Sequence, residues 1–160
     1  NFDDVLTLGR PVQQPPPIYY GGMAKAAIRR GIRLCTGWIA SPTPIEPEQF
    51  KAGVNFAQEE IQRVGRREPF EVIYIHSGRL EEPDERLKAQ WTHERMGASY
   101  DFPRNYSAEE LTDRLSRYAK VGVDEVVLSF FSLDAEMNLR QARTFAEKVL
   151  PQLSSRAAPG

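Results

Sequence analysis

The sequence is poor in the features that most readily give a protein away. It has one cysteine in 160 residues, Cys35, so no internal disulfide can form. That fits a reducing compartment, and the cytoplasm is the expected location. The formal net charge is −1, so no excess of either sign points to nucleic acid or an anionic membrane as a partner. No apolar stretch approaches the roughly 20 residues that a membrane-spanning helix needs. The opening NFDDVLTLGR has neither a basic nor an apolar segment and does not read as a signal peptide. The common catalytic signatures are missing too. There is no Gly-Lys-Ser/Thr phosphate loop, no GxGxxG and no G-x-S-x-G elbow. His93 opens HERMG, so an HExxH motif fails at Gly97, and no metal site is expected.

What is present is ordinary globular material. Hydrophobic residues make up 41% and charged residues 27%, enough for one domain with its own core. Residues 1–16 read as an extended lead-in, because prolines lack an N–H and fix φ. Ile18–Tyr20 is a short β-rich run closed by Gly21-Gly22. A helix follows over 23–34, with Ala24, Ala27, Ile28 and Leu34 as a partial apolar stripe. Trp38–Ala40 is a second strand, broken by Pro42 and Pro44. The spacing of Phe50, Val54, Ala57, Ile61 and Val64 predicts a helix over 47–64, with Pro47 in its first turn and Gly65 past its end. Phe70–Ile75 is the third strand. Residues 78–105 are the least readable, with a charged helical reading over 81–96. Ser107 and Glu110 form a capping box opening a helix to Lys120, with Leu111, Leu115, Tyr118 and Ala119 inward. Val123–Phe131 holds the fourth strand. The last helix is expected over 137–150, with Leu139, Ala142, Ala146 and Val149/Leu150 inward, stopped by Pro151. Residues 152–160 read as a flexible tail.

Four strand–helix alternations mean parallel strands joined by crossover helices, an α/β fold. They suit either a small open sheet or half of a (β/α)8 barrel. In both, ligands bind at the C-terminal ends of the strands. That rule selects Gly21-Gly22-Met23, Ala40-Ser41-Pro42-Thr43, His76-Ser77-Gly78-Arg79 and Phe131-Ser132-Leu133-Asp134. The glycine pair either lets a phosphate approach the N–H groups of the following helix or simply makes a tight βα turn. Ser41 and Thr43 offer hydroxyls to the same ligand or serve as turn punctuation. His76 reads as a general base or hydrogen-bond donor, or, the preferred reading, as a partly buried histidine with a satisfied hydrogen bond. Cys35 reads as a buried structural thiol. Arg29, Arg30, Arg33, Arg66 and Arg67 read as solvated helix faces, unless one near a helix–loop junction reaches a phosphate tail. No residue stands out as the catalytic acid or base.

From Pro15 to Trp38 the chain resembles the luciferase-like monooxygenase superfamily. The resembling residues are Pro16-Pro17-Ile18-Tyr19-Tyr20-Gly21-Gly22, then Ala26-Ala27-Ile28-Arg29-Arg30, then Thr36-Gly37-Trp38. Val64-Gly65-Arg66, Gly122–Leu128 and Lys148–Pro151 extend the resemblance in order. Thr36 stands where the family usually has aspartate, and Met23-Ala24 where it often has a small residue and serine. The second departure leaves backbone N–H groups rather than a side-chain hydroxyl for a phosphate. The resemblance implies a (β/α)8 barrel binding FMN or a deazaflavin coenzyme, with hydride transfer or monooxygenation of a small-molecule substrate. It places Gly21, Gly22, Met23, Ala40 and Ser41 along the cofactor's phosphate and ribityl region. A separate flavin or deazaflavin reductase would be a partner. The alternatives are a non-catalytic flavin-binding or interaction module of the same fold, and an unrelated phosphate-binding β/α barrel enzyme.

On this resemblance the chain corresponds to the C-terminal half of the barrel. An isolated half-barrel leaves parallel edges unpaired and barrel-facing side chains wet. Either an N-terminal half lies outside this chain, or a homo-oligomer rebuilds a barrel, or the units close as a small open sheet. Because the sequence starts at Asn1 rather than Met, the first is the expectation.

Overall fold

The computed structural model describes residues 12, 13, 15–40, 45–80, 105–130 and 134–157. Strand β1 (Tyr19–Gly21) leads to α1 (Lys25–Leu34), β2 (Gly37–Ala40), α2 (Pro47–Val64) and β3 (Glu71–Ser77). Two short strands follow, β4 (Arg79–Leu80) and β5 (Asn105–Tyr106), then α3 (Ala108–Lys120) and β6 (Glu125–Ser129). The chain ends in α4 (Ala135–Thr144), a π-helical turn (Phe145–Val149) and α5 (Leu150–Ala157). The helical reading over 81–96 and most of the lead-in over 1–16 lie outside the described residues, as do Phe131 and residues 158–160.

β1, β2, β3 and β6 form one parallel sheet in that order. The order advances in one direction without reversal. Right-handed crossovers then carry each connecting helix to the same face, which is the winding of a barrel segment and not of a doubly wound sheet. The fold is therefore a parallel α/β unit of partial-barrel type. β4 and β5 pair separately, in parallel, within the stretch that sequence alone leaves unread.

The strands are registered by paired contacts at their starts. The Thr36 amide donates to the Ile18 carbonyl at 2.7 Å, and the Thr36 hydroxyl accepts from the Ile18 amide at 3.0 Å. Asp124 does the same for β6, its carboxylate accepting from the Val72 amide at 2.8 Å while its own amide donates to the Val72 carbonyl at 2.9 Å. A hydroxyl and a carboxylate fill the same place at two strand starts, so threonine at 36 keeps the pairing. Trp38, Tyr74, Phe50 and Tyr118 then pack as a continuous aromatic layer between sheet and helices, each pair of neighbouring rings 4.2 to 6.1 Å apart.

Two helices differ from expectation. In α1 the buried residues are Ile28, Gly31 and Ile32, and Leu34 is exposed. At the C-terminus, Leu139 (58% exposed) and Leu150 (48%) face outward, along with Ala142 and Ala146. Inward are Gln141, Phe145, Val149 and Leu153, spaced by four. A four-residue spacing drifts by about 40° per step around an α-helix, so it leaves the core after two or three steps. The wider π turn absorbs part of that drift. It also accommodates Pro151, which cannot supply the N–H that an α-helix requires there. The Leu150 amide reaches back to the Phe145 carbonyl, and the helix continues through Pro151 to Ala157 instead of stopping.

Arg66 closes the other end of the layer. Gly65 ends α2 in the left-handed conformation at φ 66°, and the next residue turns back on α1. Its guanidinium donates to the carbonyls of Ile32 (2.6 Å), Cys35 (2.9 Å), Glu68 (3.2 Å) and Pro69 (3.0 Å) and lies over the Phe70 ring. A cation at a helix C-terminus complements its dipole as well as its unpaired carbonyls. Arg66→Met is expected to lower stability by about 2 kcal/mol, measured by urea unfolding at neutral pH. An unchanged midpoint would contradict this assignment.

Candidate functional site

The four parallel strands bring their C-terminal ends to one edge, at Gly21, Ala40, Ser77 and Ser129. The segments 21–23 and 76–79 selected from sequence, with Ala40 of the segment 40–43, therefore lie at the same edge. The fourth, 131–134, follows β6 directly, but only Asp134 of it lies within the described residues. Asp134 caps α4, its carboxylate accepting from the amides of Glu136 and Met137.

The two glycines turn out to do different things. Gly22 has φ +117°, a conformation that L side chains rarely adopt, and its Cβ would also press on Ala27 at 3.4 Å. It is the turn glycine. Gly21 has no such backbone demand, is exposed, and an added Cβ would meet none of the described residues within 4 Å. Nothing among the described residues requires glycine there. Behind the pair, α1 starts at an Ala24 N-cap that makes no side-chain capping bond, so its first amides keep their donors unclaimed by a side chain.

The position of this turn is set from β2. The Trp38 indole N–H donates to the Gly22 carbonyl, and the Gly22 amide donates to the Ile39 carbonyl at 3.3 Å. Trp38 is fully buried and stacked on Phe50, with ring centroids 5.1 Å apart and planes 7° from parallel. Gly53 of α2 permits this, since a Cβ there would come within 2.9 Å of the indole. Met23 packs on the same aromatic core. Ala40 is completely buried and belongs to the core, so it marks the end of β2 without exposing a surface to a ligand. Ser41 and Thr43 lie outside the described residues.

His76 sits one residue before the end of β3. It is 2% exposed, between the rings of Tyr74 and Tyr106, at centroid distances of 6.1 and 5.3 Å. Neither ring nitrogen has a hydrogen-bond partner among the described residues. The expected satisfied hydrogen bond is thus missing, and the residue is more buried than expected. Burial pushes its pKa down to about 4, helped by the nearby Arg114 cation. At neutral pH it is an uncharged ring sealed in the core and not a base presented to solvent. Arg79, two residues past β3, is also buried, at 1% exposure.

The remaining sequence candidates are placed elsewhere. Cys35 is half-buried at the C-terminal end of α1, the opposite end from the glycine turn. Arg66 is committed to carbonyls at that same far end. Arg29 joins Arg63 on the buried Glu60 carboxylate, which their hydrogen bonds and charge hold down to about 2, and it lies over Phe56. Arg30 donates to the Tyr20 hydroxyl at 2.6 Å. None of these reaches the edge. Sequence reading missed Arg114, which reaches from α3 to the β2–α2 connection. Its signal is a charged residue inside the apolar stripe Leu111, Leu115, Tyr118, three and four residues from its neighbours.

No family model matches the sequence, and no curated protein does. Among solved structures the chain is similar to the coenzyme F420 dependent tetrahydromethanopterin reductase from Methanopyrus kandleri, with 14% identity and a TM-score of 0.59. The likeness covers 86% of this chain and 51% of that one, so the chain spans about half the length of that structure. At this identity the likeness is one of fold, and it agrees with the partial-barrel winding. No described helix is long and apolar enough to cross a membrane.

The buried histidine makes stability depend on pH. With its folded pKa lowered from 6.5 to about 4, the unfolded state binds the proton first as pH falls. Stability from this group is complete above about pH 6.5 and is lost as pH drops toward 4. Between pH 7.5 and 5.0 the loss is expected to be roughly 2 kcal/mol. His76→Phe should remove most of it, as read from urea midpoints at the two pH values; equal losses in parent and variant would refute this.

Proposed function

We propose that this chain supplies the phosphate-end cradle of a flavin- or deazaflavin-dependent oxidoreductase of the luciferase-like class. Gly21 carries the proposal. It is a glycine that no described neighbour requires, exposed at the strand-end edge, beside a turn glycine and a helix N-terminus without a side-chain cap. A backbone kept bare at that place is what a closely approaching phosphate requires. The resemblance from Pro16 to Trp38 and the fold likeness to an F420 dependent reductase both support the class.

The cofactor would supply the hydride or oxygen chemistry. The chain's own share is to hold the phosphate end: amides of Met23 to Ala26 as donors, with the α1 dipole behind them. Trp38 sets the turn's position, and Ser41, next in sequence after the buried end of β2, is the further candidate contact. Buried and neutral, His76 serves packing in this reading and holds no proton for a substrate. A small-molecule substrate, a reductant for the cofactor and a complementary set of β/α units complete the reaction. The complementary units come from an N-terminal half-barrel or a second copy.

The test is a fluorescence titration of the chain with coenzyme F420 and with FMN, beside Gly21→Val and Gly22→Ala. The parent should bind at least one of them saturably, and the tighter ligand identifies the cofactor. Gly21→Val should raise Kd by roughly tenfold or more with little change in melting temperature, because its side chain would meet the ligand and none of the described residues. Gly22→Ala should weaken binding and also cost about 1–3 kcal/mol of stability through backbone strain. Failure of the parent to bind either cofactor, or unaltered binding by Gly21→Val, would overturn the proposal.

A further inference from the structure

We infer that the hydroxyls of Ser77 and Ser129 form the polar contact for the edge of the cofactor's ring, on the face of the sheet opposite the described helices; the inference rests on the cofactor reading above. Packing assigns the two faces. Trp38 stacks on Phe50 of α2 and Tyr74 on Tyr118 of α3, while Val126 and Leu128 pack on the helix-side core. Side chains alternate along a strand, so Ile39, Ile75, Ser77, Val127 and Ser129 stand on the opposite face. Gly21 belongs to that face as well, because its neighbour Tyr20 lies against Gly31 of α1. Ser77 and Ser129 are paired in register and are the last residues of β3 and β6. That is the position from which a parallel β/α barrel presents side chains to a ligand. The Gly78 amide donates to the Ser129 carbonyl at 3.1 Å and holds the two strand ends together just beyond the pair.

The surroundings of the pair fit a ring edge. The Ser77 hydroxyl oxygen is enclosed and has no hydrogen-bond partner among the described residues. A buried hydroxyl left without a partner is costly, so a ligand that supplies one is favoured there. Between Gly21 and the serines the floor is apolar: Ile39 and Ile75 are half-buried, and Val127 is 40% exposed. The charged residues that the four strands place on this face, Glu71 and Glu125, stand at the opposite, N-terminal ends of β3 and β6. A flat heterocycle asks for this combination, apolar contact for its face and hydrogen bonds for its edge of carbonyls and ring nitrogens. A hydroxyl both donates and accepts, so a neighbouring pair serves an edge that carries both kinds of group. Neighbouring strands lie about 4.8 Å apart, which lets both hydroxyls meet one ring. Neither carries charge, and this separates their contact from the phosphate end at the Gly21-Gly22 turn.

The experiment compares Ser77→Ala, Ser129→Ala and the double variant with Gly21→Val in the full chain. Coenzyme F420 and FMN are the probes. Three quantities are measured: Kd, the position of the bound ligand's visible absorption band, and the melting temperature of the unliganded protein. The double serine variant is expected to raise Kd by roughly tenfold and to move the band, because hydrogen bonds to the ring edge are lost. Each single variant should show part of both effects. The unliganded melting temperature of the double variant should equal or exceed the parent's, since an enclosed, unpartnered hydroxyl is removed. Gly21→Val should raise Kd and leave the band in place, because it acts at the phosphate end. A double variant that binds the parent's tighter ligand within about twofold of the parent, or whose bound ligand keeps the parent's band, would overturn the inference while the cofactor reading stands. A melting temperature well below the parent's would give the serines a structural role and overturn it as well. A parent that binds neither probe would overturn the cofactor reading and, with it, this role of the two serines.

Discussion

The indole of Trp38 ties the edge of this protein to its core. One face of the ring stacks on Phe50, the other side is admitted by Gly53, and its N–H holds the carbonyl of Gly22. A buried indole must find an acceptor for its single donor or carry the cost of an unmade hydrogen bond. Here that requirement is met by the one carbonyl whose position decides how β1 turns into α1. Packing in the aromatic layer is thereby transmitted to a surface turn. The same layer continues through Tyr74 to Tyr118, so α1, α2 and α3 are all referenced to one rigid set of rings.

Two polar anchors extend from that layer. Trp38 sets the glycine turn after β1, and Arg114 and Tyr118 of α3 hold the Ile45 carbonyl at the entry to α2. Between and beside them the exposed backbone of Gly21 contributes shape and no charge, while Ala40 and the uncharged ring of His76 lie buried beneath. Arg114 is largely neutralised by the Glu46 carboxylate and helps keep His76 unprotonated. The described edge therefore offers backbone donors at one end and little else that titrates near neutral pH. Such a surface suits a role in holding a cofactor, with the reaction left to the cofactor.

The C-terminal helix shows a different kind of constraint. Its inward residues recur every four positions, a spacing that a pure α-helix cannot keep on one face, and its proline would interrupt the regular hydrogen-bond ladder. A single π turn meets both demands. A reading based on an α-helical period places Leu139 and Leu150 inside, which is why it selects the wrong stripe there while succeeding for α2 and α3.

The order and kind of the elements were set by the sequence itself. Periodic apolar spacing, the Ser107–Glu110 capping box, Pro47 at a helix start and Gly65 at a helix end are local devices, and local devices can be read without the fold. The alternation of these elements was enough for the parallel α/β class. What only the tertiary structure decided depends on groups far apart in the chain. Gly21 and Gly22 look identical in sequence, and only the space around each Cβ and the φ of each backbone separate the glycine needed by the turn from the one left bare. His76 became a sealed neutral ring because Tyr74, Tyr106 and Arg114 converge on it. Arg66 was drawn to the carbonyls of α1, and Arg114 to a connection 68 residues earlier. Burial and partnership are properties of three-dimensional neighbours, and no periodicity within one segment encodes them.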